Sequence, residues 1–495
     1  MIIFTLIKKI IMKFNVAFGL LFLLNITSII RISAQSKPNV VFIFADDLTA
    51  DALGCYDNKI VKTPNIDKIA SAGTKFTNAY ILGGDQGAIC SPSRCMLMTG
   101  KSYFKISNKL KNEYTLPKAF KNNGYTTFMT GKWHNEEEGI KEGFDHAKNI
   151  MFGGMDNHFS TRMQDLNKDG SFSEIEQKGF STDVFTDSAL SFLNDQNEEN
   201  PFFMYVSYTA PHDPRSPKLA YQNMYDPKNI PIPTNFLPFH PFSFGHSMGI
   251  RDELLASFPR TTSEVKAQIA DYYGLISHLD DAVGQLIEKL KEKKLFENTI
   301  IVFASDNGLA IGSHGLMGKQ NMYEHSMKVP LIFSGPGIPK NINNKQFVYL
   351  LDVFPTFTEM LGLVPPKNID GKSFHKNMVN NKIDVTRKTI FTGYLEHQRA
   401  IRDDRFKLIV YPKINHSVLY DLQTDPYELK DISKSNPNEV NKLLGLMVEN
   451  QIQFGDTLSL TSDFPLDKKW DYKDLKRVPD KWQPEYILNK YFNTN

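Results

Sequence analysis

Four short stretches carry side chains able to bind a cation, hold an anion or move a proton, and each follows an apolar run. Residues 39–44 lead into Asp46-Asp47, and residues 299–304 into Asp306-Asn307-Gly308. Residues 125–130 lead into Gly131-Lys132-Trp133-His134, and residues 202–208 into Pro211-His212. Asp46, Asp47, Asp306 and Asn307 offer oxygen ligands. Such a set suits a hard divalent cation, Ca²⁺ ahead of Mg²⁺ where protein oxygens crowd the site. Either acidic pair alone reads equally well as a helix cap or a solvated turn. Two pairs placed alike favour the metal. Lys132 is suited to an anion, and the two histidines to proton transfer. A lone His or Lys of this kind is otherwise a structural or solvated group.

Side chains so far apart in the chain meet only if the runs before them lie side by side. Fully apolar runs of this length suit strands covered on both faces, as in a parallel sheet. Residues 330–334 and 348–351 have the same character. Helical patterns lie between the runs, at 66–71, 116–122, 183–196 and 263–294. The alternation predicts an α/β fold with helices on both faces of a large, mostly parallel sheet. In such a sheet ligands bind at the carboxyl ends of the strands. Three acids, an amide, a lysine and two histidines would then share one rim. From Lys388 the pattern changes. Residues 400–410 and 418–422 read as strands and 438–453 as a helix, predicting a smaller antiparallel α+β unit. The predicted division is 35–387 and 388–495. Residues 213–259, rich in Pro, Phe, Asn and His, read as surface loops around a cleft.

The chain has three cysteines, Cys55, Cys90 and Cys95. An odd number is no disulfide framework, so one of them invites a chemical explanation. Cys90 opens the run Cys90-Ser91-Pro92-Ser93-Arg94-Cys95-Met96-Leu97-Met98-Thr99-Gly100. This run resembles the activation signature of type I sulfatases, Cys-x-Pro-Ser-Arg-x-x-Leu-x-Thr-Gly, and matches every fixed position. Thr63-Pro64-Asn65-Ile66-Asp67, Phe76-Thr77-Asn78-Ala79-Tyr80, Pro211-His212-Asp213-Pro214, Ser305-Asp306-Asn307-Gly308, Gly318-Lys319 and residues 402–408 also resemble that family. So does Gly131-Lys132-Trp133-His134. The resemblance extends from about residue 38 to about residue 455.

The resemblance implies an alkaline-phosphatase-like fold and a sulfatase of bacterial polysaccharide type. It implies that a separate maturation enzyme oxidises Cys90 to formylglycine. The hydrated aldehyde attacks sulfur with one oxygen, the alcohol leaves, and the second hydroxyl then expels sulfate. A serine sulfate would instead need water to attack sulfur. Asp46, Asp47, Asp306, Asn307 and the modified Cys90 would hold the metal. Arg94, four residues after Cys90, would reach back to the diol. Lys132 and Lys319 would neutralise sulfate oxygens. His212 would protonate the leaving alcohol, and His134 would take a proton from the diol. His314, in Gly312-Ser313-His314-Gly315, either lines the site or stabilises its loop. Cys55 and Cys95 either pair or are buried thiols.

The 57 basic and 55 acidic residues give a net charge of +2, so no global field draws nucleic acid or an anionic membrane. Lys8, Lys9 and Lys13 precede an apolar run that ends at Ile32-Ser33-Ala34, which predicts an export signal over residues 1–34. The mature chain is then expected to be periplasmic or secreted, with no stable membrane insertion. Its expected substrate is a sulfated carbohydrate. The rival readings are a phosphodiester or phosphonate ester hydrolase and a sulfated-glycan binding protein without catalysis. Asp165, Asn167, Asp169, Gly170 and Glu176 fit EF-hand spacing, but no leading helix precedes them, and Asp169-Gly170 reads as a hairpin turn.

Overall fold

A computed structural model describes residue 3 and residues 37–197, 199–244, 249–380, 387–469, 472 and 475–492. The expected export segment, residues 1–34, lies outside these apart from residue 3. From Pro38 onward the chain forms one compact unit.

The large sheet has eight strands. Their order is Ile342–Asn344, Gly73–Phe76, Leu331–Ser334, Thr299–Ser305, Asn39–Ala45, Phe202–Ser207, Thr126–Lys132 and His146–Met151. The last five run parallel to one another. Leu331–Ser334 is antiparallel to both its neighbours. Its apolar run looks like those of the parallel strands, because both kinds are covered on both faces.

Alternation within a strand sends side chains into two cores. Val40, Phe42 and Phe44 enter one, and Val41, Ile43 and Ala45 the other. Helices Pro64–Ser71, Ser181–Asn194 and Thr262–Glu292 seal the second core through Ile66, Phe185, Ile276 and Leu279. Helices Cys90–Thr99, Leu116–Asn122 and Val353–Leu361 seal the first through Leu97, Phe120 and Phe357. Each fully buried Val, Ile, Leu or Phe contributes about 1.5–3 kcal/mol.

The smaller sheet runs His416–Asp421, Phe406–Tyr411, Gln398–Arg402 and Ile390–Tyr394, all antiparallel. Gly83–Gly84 joins its edge, parallel to Ile390–Tyr394. No side chain fits there, since a Cβ on Gly83 would lie 1.9 Å from Gly393 O. Residues 400–410, expected as one strand, are a hairpin. Asp403 Oδ1 accepts from Arg405 N at 2.9 Å and Phe406 N at 2.7 Å, which turns the chain. Residues 348–351 also differ from expectation. Val348–Tyr349 pairs with Ala79–Tyr80 outside the large sheet. The chain then enters a 3₁₀ turn, with Asp352 Oδ2 accepting from Tyr349 N at 2.8 Å.

The described residues of 213–259 are mostly irregular, with the short helices Leu219–Gln222 and Arg251–Leu254, but several, among them Asp213, Arg215, Tyr225 and His240, are buried rather than on the surface. Asn167–Gly170 is a hairpin turn, closed by Gly170 N donating to Asn167 O at 3.0 Å. Glu176 lies on a strand paired with Thr161–Met163, so no EF-hand forms. Among the described residues no helix is long and apolar enough to cross a membrane.

Candidate active site

Parallel register brings the two acidic pairs together. Ala45 pairs with Ser305, so Asp46-Asp47 and Asp306-Asn307 leave the sheet side by side. Asp47 takes a left-handed φ of 62°, and its amide donates to Asp306 Oδ1 at 3.1 Å. Tyr272 OH, from the long helix, donates to Asp47 O at 2.7 Å and holds that turn.

Lys132 ends the next strand but one. A register shift falls between Thr130 and Gly131, and Gly131 has φ 101°. A Cβ there would lie 1.9 Å from Ser207 O, so glycine is required for Lys132 to arrive where it does. Its ammonium lies 2.5 Å from Asp46 Oδ2 and 3.8 Å from Cys90 Sγ. Lys319 mirrors it, 2.6 Å from Asp47 Oδ1 and 3.8 Å from Cys90 Sγ. Cys90 is the first residue of helix Cys90–Thr99 and is fully buried. His134 Nδ1 lies 3.2 Å from Cys90 Sγ, and His212 Nε2 lies 3.5 Å from Asp47 Oδ2.

Arg94 sits one turn into the helix. Its guanidinium donates to Asp306 Oδ2 from Nε at 3.0 Å and to Lys132 O from Nη1 at 2.9 Å. Nη1 also donates to Ser207 Oγ at 2.6 Å. Arg94 thus braces the carboxylates and the Lys132 strand.

Three carboxylates and three cations share this buried space. Burial raises Asp46 above the usual carboxylate range, against the pull of Lys132. Burial would raise Asp306 too, but Arg94, with Lys132 and Lys319, outweighs it and holds that carboxyl low. Burial, then Lys132 and Arg94, depress His134. Burial and then Lys319 depress His212, against Asp213. Burial pushes the Cys90 thiol up despite the two lysines.

The donors fit a divalent cation. Asp46, Cys90 and Asp306 form one group whose ligand atoms lie within 4.8 Å of one another, and Asp46, Asp47 and His212 form another. Asp46 Oδ1 and Asn307 Oδ1 are buried without a hydrogen-bond partner. Orphaned buried oxygens are costly, and a cation would satisfy both.

The sequence-based candidates converge except for His314. Its ring stacks on Tyr323 at 3.8 Å, and its nitrogens meet Glu428 O at 3.0 Å and His325 Nε2 at 3.3 Å. These contacts match its loop-stabilising alternative. Cys55 and Cys95 are both free, and Asn135 Nδ2 lies 2.9 Å from Cys95 Sγ. Ser207 and His158 escaped sequence reading. His158 Nε2 is 2.9 Å from His212 O, but a lone His carries no signal of such a role. A cleft of about 820 Å³ opens beside Ser91, His134 and Asn135, and extends to Asp85, Lys109 and Phe152.

A buried cysteine ringed by cations and carboxylates, at the carboxyl ends of parallel strands, is an arrangement suited to a hydrolase of anionic esters. The chain belongs to the sulfatase family, whose model matches residues 38–363. A second model, N-sulphoglucosamine sulphohydrolase, C-terminal, matches residues 312–453. The protein is therefore an enzyme that hydrolyses sulfate esters, in a family that uses formylglycine and a divalent metal. An N-acetylglucosamine-6-O-sulfatase of Bacteroides thetaiotaomicron is 28% identical, over 85% of this chain and 87% of that protein. A structure solved with its substrate D-glucosamine-2-N,6-O-disulfate is 26% identical with TM-score 0.74, covering 85% of this chain and 99% of the other. The phosphonate monoester hydrolase of Agrobacterium radiobacter shares the fold, at 22% identity and TM-score 0.69, covering 87% of this chain and 100% of the other.

Proposed function

We propose that this sulfatase acts on a carbohydrate sulfate ester, with residue 90 as nucleophile after a maturation enzyme has oxidised it to formylglycine. The observation that carries the reading is the position of Cys90. It opens the signature helix, lies 3.2 Å from His134 Nδ1, and is flanked at 3.8 Å by both Lys132 and Lys319. The glucosamine sulfates in the names of the similar enzyme and the similar structure support a sugar substrate.

Asp46, Asp47, Asp306 and Asn307, with residue 90, would hold Ca²⁺ in preference to Mg²⁺, since the donors are mainly protein oxygens. Bound there, the cation supplies Lewis-acid polarisation of a sulfate oxygen and favours an ionised nucleophile. Lys132 and Lys319 neutralise the sulfate oxygens and exchange part of their carboxylate contacts for them. His134 takes the proton of the diol's second hydroxyl as sulfate is expelled. His212 gives a proton to the departing alcohol oxygen. The ester's negative charge favours protonated His212, so ester binding and protonation reinforce one another. Arg94 keeps Asp306 and the Lys132 strand in register.

Residues 1–34 are an export signal in this reading, and the enzyme works in the periplasm or outside the cell. Residues 35–387 form the catalytic part. Residues 388–495 form a subdomain that depends on it, since its sheet borrows Gly83–Gly84. A desulfation screen against defined sulfated oligosaccharides, read by mass spectrometry, tests the substrate class. Loss of 80 Da equivalents from none of them, alongside turnover of a phosphonate monoester, would favour the rival hydrolase reading (about 80 Da being the mass of SO₃).

A further inference from the structure

Residues beyond 453 lie outside both matched family regions, yet the chain returns to the catalytic rim. Several anchors hold this tail. Val478 N donates to Leu254 O at 2.9 Å, and Arg477 Nη1 pairs with Glu264 Oε1 at 3.1 Å. The Arg162 guanidinium stands 4.2 Å over the Trp482 ring. Lys490 Nζ and Tyr491 OH each donate to Asp271 Oδ2 at 2.6 Å.

Between these anchors Asp480 meets Arg251. Arg251 Nε donates to Asp480 Oδ2 at 2.7 Å, and Nη2 contacts the same oxygen. On its other edge Arg251 Nη1 donates to Asp213 Oδ1 at 3.1 Å, and Nη2 reaches Asp213 Oδ2. Asp213 follows His212, whose Nδ1 lies 2.7 Å from Asp213 O and 3.5 Å from Asp213 Oδ1. A guanidinium is a planar fork, and carboxylates on two of its edges fix that plane. With Asp480 removed, Arg251 retains Asp213 and the adjacent Asp252, whose Oδ1 is 2.9 Å from Nη1. The fork is then free to pivot between them, and Asp213 moves with it.

We propose that Asp480 is a positioning residue for His212, acting through Arg251 and Asp213, so that the C-terminal tail belongs to the working site. The inference rests on His212 serving as the acid for the leaving oxygen. The test uses the full chain with Asp480→Ala, Arg251→Met, the double variant, Asp480→Glu and His212→Ala. Turnover is compared on 4-nitrophenyl sulfate, whose phenolate leaves unaided, and on 4-methoxyphenyl sulfate, whose leaving oxygen is more basic. Asp480→Ala should lower kcat on the methoxy ester about tenfold, part of the about 10²–10⁴ available to a general acid, and lower it far less on the nitro ester. It should add nothing to Arg251→Met, and Asp480→Glu should recover most of the loss. Thermal unfolding shows that each variant is folded. Unchanged turnover on both esters, or losses that multiply with those of Arg251→Met, overturns the proposal. A His212→Ala variant indifferent to the leaving group would remove the acid assignment alone. The Asp480–Arg251 cycle would still decide whether the tail acts through that arginine.

Discussion

His134 Nδ1 lies 3.2 Å from Cys90 Sγ, whereas His212 Nε2 lies 3.5 Å from Asp47 Oδ2. One histidine thus faces Cys90 and the other the Asp47 carboxylate. This division predicts different kinetic signatures. His212→Ala should cost far more on a sugar sulfate, whose alkoxide needs a proton, than on 4-nitrophenyl sulfate. His134→Ala should slow both substrates alike and show an initial burst of released alcohol. Each loss should fall within about 10²–10⁴ in rate. Stopped-flow and steady-state kinetics check both, and a burst in His212→Ala with equal losses would reverse the roles.

Cys90 should be found as formylglycine, or its hydrate, in active protein. Mass spectrometry of the tryptic peptide reads this directly. Cys90→Ala should abolish turnover while unfolding at the wild-type temperature. Full activity from a preparation whose residue 90 is entirely thiol would end the mechanism.

About one Ca²⁺ per chain should be measured by elemental analysis of the protein. Asp46→Ala and Asp306→Ala should each lose it, together with activity, and prolonged chelation should do the same to the wild type. The orphaned oxygens of Asp46 and Asn307 are the reason to expect a tightly held ion. Purification with stoichiometric Zn²⁺ instead would contradict the oxygen donor set.

Gly131→Ala should destabilise the fold by about 1–3 kcal/mol, the usual cost of overpacking, because a Cβ would meet Ser207 O. It should also reduce kcat, since Lys132 follows directly. Denaturant unfolding alongside kinetics tests both effects. A variant as stable as wild type would show that the neighbouring strand yields.

The central strands were legible in the sequence because burial on both faces leaves runs such as residues 39–44 uniformly apolar. The candidates Asp46, Lys132, His212 and Asp306 stood out because each apolar run gives way to polar side chains. The direction of Leu331–Ser334 was not, since an antiparallel strand buried on both faces has the same composition. Gly73–Phe76 and His146–Met151 were missed, being short or broken by polar residues. The 400–410 hairpin was hidden because Asp403 turns the chain without glycine or proline. In the site, the sulfatase signature marked Cys90 and Arg94, but not the Ser207 contact. Such partners lie 113 residues apart, and no local pattern announces them.

The burial of Cys90 also sets a clock. Its pocket closes with residues made long after it, the Asp306 strand end and Lys319, the latter 229 residues downstream. At about 5–20 residues per second of synthesis, roughly ten to fifty seconds pass before those residues exist. Through that interval the thiol has no completed pocket around it, and any enzyme that must reach its Sγ works on a chain still being made or not yet folded. Substitutions that speed the docking of Thr299–Ser305 would shorten the interval, and could leave a well-folded protein carrying an unreacted thiol.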